Sequence, residues 1–145
     1  MESVIEILDD FGEVLKTYKV PVGKIQFEGV NWDGEQLDGA QLSGTNFEGA
    51  MLYWSSFFAA NLDGANFENA NLRGAGLRNA SCVGANFRNA NLGRDNLGGS
   101  ARLQGTNFTG AIFHGTKFDG AEYDEHTIFP KDFHPKAHGL IETDS

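Results

Sequence analysis

The sequence predicts an all-β solenoid with four short faces in each coil. Three observations carry that prediction. Large apolar residues recur every five positions over most of the chain. A small residue stands two positions before nearly all of them. Phenylalanine recurs at every twentieth residue, at Phe27, Phe47, Phe67 and Phe87.

The apolar series opens Phe27, Trp32, Leu37, Leu42 and Phe47, and continues through Cys82 and Phe87 to Leu92 and Leu97. The register then slips by one residue at 98–101. It resumes at Leu103 and passes Phe108, Phe113, Phe118 and Tyr123 to Ile128. Residues two apart on a strand share a face. A small residue such as Ala60 and the Leu62 that follows it therefore both point inward. The next inward position lies three further on, so the extra residue absorbs a bend, and glycine often stands there. Each unit is a short strand and a corner. A five-residue period fits no 3.6-residue helix.

The twenty-residue recurrence of phenylalanine makes four units one coil, with the rings in one interior column. Phe108 joins that column once the slip is counted. Coils that pair as strands do lie about 4.8 Å apart, so about five coils give a rod on the order of 25 Å long.

A solenoid exposes core and backbone at both ends and needs caps. Ser3 and Glu6 form a capping-box signature. Val4, Leu8, Phe11, Leu15 and Tyr18 follow at helical spacing, and Pro21 ends the pattern. This predicts an N-terminal capping helix and linker over 1–24, a repeat over 25–128, and a C-terminal cap and tail over 129–145. In that cap Phe129, Phe133, Leu140 and Ile141 cover the last coil, and Pro130 and Pro135 stop further strand pairing.

Units such as Ala60-Asn61-Leu62-Asp63-Gly64 and Ala65-Asn66-Phe67-Glu68-Asn69 resemble the A(D/N)LXX unit of the pentapeptide-repeat family. The resemblance covers most of the chain, and Thr127 to Pro130 with Gly139 to Ile141 is similar to the closing segment of many cyanobacterial members. It implies a right-handed quadrilateral β-helix. It also implies a range of roles, because a few members resemble DNA in shape and charge and act on type II topoisomerases.

The totals exclude several classes. The chain of 145 residues holds one cysteine, Cys82, so it forms no internal disulfide. The N-terminus lacks a basic region, a long apolar run and a small-residue cleavage site, which predicts a cytoplasmic protein. No apolar stretch reaches membrane-spanning length. The net charge of −9 disfavours direct nucleic-acid binding. That charge is banded. Seven acids and no base lie between Glu28 and Leu72, whereas Arg73, Arg78, Arg88, Arg94 and Arg102 follow with Asp95 among them. Banding counts against mimicry of DNA, which needs negative charge along most of the rod.

No catalytic constellation is present, and no cofactor is expected. His134 and His138 stand at i, i+4 spacing, but Pro135 lies between them and no further ligand is near. His126 falls in an inward slot. Cys82 replaces a core leucine, and no basic neighbour activates it.

Function is sought where the repeat is broken without structural need. One break is Asp95, which occupies a slot for alanine. It marks either a bulged corner or a loop for a partner. The other is a run of outward aromatics, Met51, Tyr53, Trp54 and Phe58, with Arg73 and Arg78 in the same columns one coil on. Met, Tyr, Trp and Arg make up interface hot spots. Either a terminus covers this patch or it meets a partner, which is expected to be another protein. The chain itself is a monomer or associates weakly through the patch. The sequence thus favours a non-enzymatic interaction or scaffold module. A DNA-mimicking modulator of a type II topoisomerase is the alternative.

Overall fold

Parallel bridges between residues 20 apart build most of the molecule, a computed structural model that describes residues 2–21 and 26–144. The predicted linker at 22–24 and Ile25, named as the start of the repeat, lie outside the described residues. Four columns of bridges define four faces. On face 1 Asn46, Asn66, Asn86 and Ile112 pair in order. On face 2 the order is Asn31, Met51, Asn71, Asn91 and Lys117. Face 3 carries Gln36, Ser56, Gly76, Arg102 and Glu122. Face 4 carries Gln41, Asn61, Ser81, Asn107 and Ile128.

The residue after each bridge points inward. Phe47, Leu52, Phe57 and Leu62 are fully buried, one on each face of the second coil. The Phe column is real in the first four coils. Phe47 and Phe67 stack with centroids 5.1 Å apart and planes 5° apart, and Phe67 and Phe87 at 5.0 Å and 8°. Asparagine precedes many inward residues for two reasons. Asn66 donates from Nδ2 to Asn46 Oδ1 at 3.2 Å, and Asn86 donates to Asn66 at 3.3 Å, so the amides form a ladder between coils. Within its own unit, Asn66 Oδ1 accepts the N–H of Glu68 at 3.0 Å and sets the turn.

The predicted N-terminal helix is a β-hairpin. Strand β1 (Glu2–Leu8) pairs antiparallel with β2 (Val14–Pro21), with a bulge between Ile7 and Leu8. Two features favour strands. Val4, Ile5, Ile7, Val14 and Thr17 are β-branched. Gly12 adopts φ +80° in the turn, and Asp9 Oδ1 accepts the N–H groups of Phe11 and Glu13 at 2.8 and 2.9 Å. The inward face has period two, not 3.6. Ile7 is buried, Ile5 packs on the core, and Tyr18 lies 4.4 Å from Trp32 and 5.6 Å from Phe27. Val4, Phe11 and Leu15, assigned to the helix stripe, are exposed. The hairpin joins the first coil where Gln41 N–H donates to Leu8 O at 2.7 Å and where Lys16 pairs with Glu35.

The predicted one-residue slip at 98–101 is a six-residue insertion. Gly76 pairs with Arg102 and Asn91 with Lys117, each 26 residues on where the preceding coils take 20. Leu97 is not inward but 90% exposed. The insertion moves the following rings by one face. Phe113, not Phe108, continues face 1, because Phe87 N–H donates to Ile112 O. Phe113 meets Phe87 edge-on at 5.8 Å, so parallel stacking ends there, and Phe108 stands above Cys82 on face 4.

A true one-residue slip occurs later. Asn107 bridges Ile128, 21 residues on, so Phe129 takes the inward place and stacks on Phe108 at 6.0 Å. Ile128 is half exposed, and His126, expected inward, is exposed. The end is closed by Phe133, 5.0 Å from Phe113 and 5.5 Å from Phe118, and by buried Leu140. A 3-10 turn at Pro135–His138 precedes β4 (Ile141–Glu142), which pairs parallel with β3 (Glu122–Tyr123). Ile141, expected to cover the core, is exposed because it belongs to this outer bridge.

Candidate interaction surface

Trp54 occupies a corner that glycine fills in the coils on either side of it on face 2. Gly34 and Gly74 sit one coil before and after it at φ +72° and +70°, and Trp54 adopts φ +56°. An L-residue held there costs of order 1–3 kcal/mol and persists only where its surroundings fix it. They do. The indole Nε1–H donates to Asp95 Oδ2 across two coils. The ring lies against Gly74, where a Cβ would come within 2.8 Å of Trp54 Cδ1. A side chain at position 74 would therefore push the indole away.

Arg73 completes the arrangement. Its guanidinium donates to Tyr53 Oη at 3.1 Å, to Arg94 O at 2.7 Å and to Asn96 Oδ1 at 2.8 Å. It also lies 5.5 Å from the centre of the Tyr53 ring. The loop over 93–100 that carries the insertion is thus tied to the aromatic run by both Trp54 and Arg73. Asp95 shapes the insertion from within, since Oδ1 accepts the N–H groups of Leu97 at 2.8 Å and Gly99 at 2.7 Å. The two breaks in the repeat, read separately in the sequence, form one cluster.

The other candidates surround it. Phe58 is on face 3, 43% exposed, and its N–H donates to Asp38 Oδ1 at 3.2 Å. Arg78 is exposed one coil on, and Met51, also exposed, bridges Asn31 and Asn71 on face 2. The sequence placed no member of the insertion in the patch. The available signal was Asp95 itself, an acid where alanine belongs.

The Trp54 indole N–H, followed by the Gly99 N–H, holds the Asp95 carboxyl below the usual carboxylate range. A folded pKa lowered in this way stabilises the insertion above the ordinary carboxylate range, and the effect fades as pH falls through the folded value. Trp54 fluorescence is expected to change on acidification below that range. The change should be absent in Asp95→Asn. An identical acid response in both proteins would refute the tether.

Elsewhere the chemistry is quiet. Cys82 is fully buried, and burial together with Asp63 pushes its thiol pKa up, away from the reactive thiolate. His138 stacks on Phe133 at 4.6 Å. Among the described residues, no three His, Cys, Asp or Glu side chains converge to hold a metal ion. No helix among them is long and apolar enough to cross a membrane.

The sequence matches the family model for pentapeptide repeats, in eight copies, over residues 24–57, 55–94 and 99–122. The chain belongs to the pentapeptide-repeat family. Its fold is accordingly the right-handed quadrilateral β-helix. It is similar to a pentapeptide repeat protein from the Arabidopsis thaliana thylakoid lumen, with 30% identity over 68% of each chain and a TM-score of 0.54. A pentapeptide repeat protein of Nostoc PCC 7120 is 25% identical over 83% of this chain and 87% of that one, with a TM-score of 0.42. A trypsin-treated form of QnrB1, a plasmid-mediated fluoroquinolone resistance protein, is 19% identical over 81% of this chain and 77% of its own, with a TM-score of 0.49. No curated protein sequence matches the chain. The gap between the pentapeptide-repeat matches at residues 95–98 falls inside the insertion.

Proposed function

We propose that the protein is a non-enzymatic interaction module, and that faces 2 and 3 of the second to fourth coils are the surface it offers to another protein. One observation carries this reading: the outward aromatic run and the insertion meet on that surface and are bonded to each other. Met51, Trp54 and Phe58 are exposed there, beside Tyr53, Arg73 and Arg78. Large aromatics with arginine are the residues that dominate binding energy at interfaces. Strained backbone at Trp54 is retained in a repeat that could hold glycine, which suits a functional residue. The DNA-mimicking alternative fares worse. The row Glu28, Glu48 and Glu68 on face 1 gives way to Arg88, so the acidic row stops partway along the rod.

A photo-crosslinking residue at position 58, compared with one at Glu48 on face 1, tests the reading in native extract. A discrete protein adduct is expected from position 58 only. Adducts from both positions, or from neither, would reject it.

A further inference from the structure

On face 3, Asp38, Phe58 and Arg78 follow one another on three successive coils, all exposed. Face 2 repeats the order with Asp33, Tyr53 and Arg73. From the aromatic residue, one coil toward the N-terminus gives an acid, and one coil toward the C-terminus gives an arginine. Each step is about 4.8 Å. Such a row is its own complement when it is turned end for end. The other faces lack the property, since face 1 runs Glu28, Glu48, Glu68 and face 4 runs Ser43, Asp63, Val83.

We infer that this surface pairs with a second copy of the chain, antiparallel about a two-fold axis beside Phe58, with Asp38 of each copy opposite Arg78 of the other. The inference rests on the surface proposed above and names its occupant. A two-fold contact uses one patch on both copies, so that if residue i meets j, then j meets i. The antiparallel arrangement places both ion pairs one coil either side of two apposed Phe58 rings. A parallel arrangement would oppose Asp38 to Asp38 and Arg78 to Arg78. Arg78 has no ion pair among the described residues. Asp38 uses Oδ1 for the Phe58 N–H and the Ser56 hydroxyl, and among the described residues Oδ2 accepts no hydrogen bond. On face 2, Arg73 is already held by Tyr53, Arg94 and Asn96. The intermolecular charge pairing therefore falls to face 3, while face 2 supplies a fixed aromatic edge.

The test is sedimentation equilibrium of the full chain, with circular dichroism as the check on folding. The wild type is expected to dimerise, more weakly as salt is raised. Arg78→Asp should weaken the dimer by roughly tenfold or more, because it opposes two pairs of acids. Asp38→Arg should do the same. Mixing the two single variants should restore a heterodimer, since each then carries the charge that the other lacks. Arg78 makes no ion pair among the described residues, so Arg78→Asp stands as a test by itself if Asp38→Arg fails to fold. A wild type that stays monomeric, or a dimer indifferent to Arg78→Asp, would overturn the inference. A monomeric wild type whose position 58 still crosslinks to a different protein would overturn self-pairing and leave the interaction surface standing. Loss of both signals would remove both.

Discussion

Replacing Phe67 with alanine is expected to cost about 3–5 kcal/mol of stability, the range for truncating a fully buried ring. The ring is 0% exposed and lies between Phe47 at 5.1 Å and Phe87 at 5.0 Å. Its removal therefore opens a cavity bounded by two ring faces that cannot collapse onto each other without a shift of whole coils. Each coil of a solenoid contacts only its neighbours, so the loss falls on two interfaces in the middle of the rod. Phe113→Ala supplies the comparison. Phe113 continues the same face but is only half-buried and meets Phe87 edge-on at 5.8 Å, so its truncation should cost clearly less. Urea midpoints followed by circular dichroism measure both. Equal losses at the two positions would contradict a stacked column that ends at Phe87.

Ile7→Ala should have the second largest effect, about 2–5 kcal/mol from the transition that includes the hairpin. Ile7 is 1% exposed, on the side of β1 that faces the first coil. Its loss loosens the cover over Phe27 and Trp32, which are 3% and 5% exposed with the hairpin in place. The expected signs are a red shift of Trp32 fluorescence and faster amide exchange in the first coil. Phe11 is 90% exposed at the hairpin turn, so Phe11→Ser should change neither. If Ile7→Ala left Trp32 fluorescence and stability unchanged, the hairpin would not be a cap.

The coil was legible because its two periods, five and twenty, are set by geometry that every unit obeys. One inward residue, one small neighbour and one corner recur whatever the outward residues are. The caps are not repeated, so the five-residue count carries no information about them. Val4, Leu8, Phe11, Leu15 and Tyr18 happen to fit a helical stripe, whereas the inward residues Ile5, Ile7 and Tyr18 obey a strand period interrupted by a turn at Gly12. The density of β-branched residues was the signal that should have decided between them. Leu97 misled in a different way, because a leucine in an insertion fell on the five-residue step by coincidence. The missing small residue before it, with Asp95 in its place, marked the fault. Ile128 and His126 were misplaced because a single added residue before Phe129 is invisible to a count that does not look for it.

The candidate surface was half legible. The outward residues Met51, Tyr53, Trp54, Phe58, Arg73 and Arg78 stand out against a background of Asn, Asp, Glu and Gly. That Trp54 would reach Asp95, 41 positions away, depended on the length of the insertion and hence on where the chain re-enters face 3. Sequence spacing carries no measure of that return path.

The unequal coils also determine how the molecule would yield to a pull on its ends. Because every coil is bonded to the ones above and below, it would peel away turn by turn, as a spring does. Most turns release 20 residues, about 66–72 Å of extended chain. The turn that carries the insertion releases 26, about 86–94 Å. One long step among short ones would mark the moment when the Trp54 and Arg73 ties let go, so the same loop that shapes the surface leaves its signature in the extension of the chain.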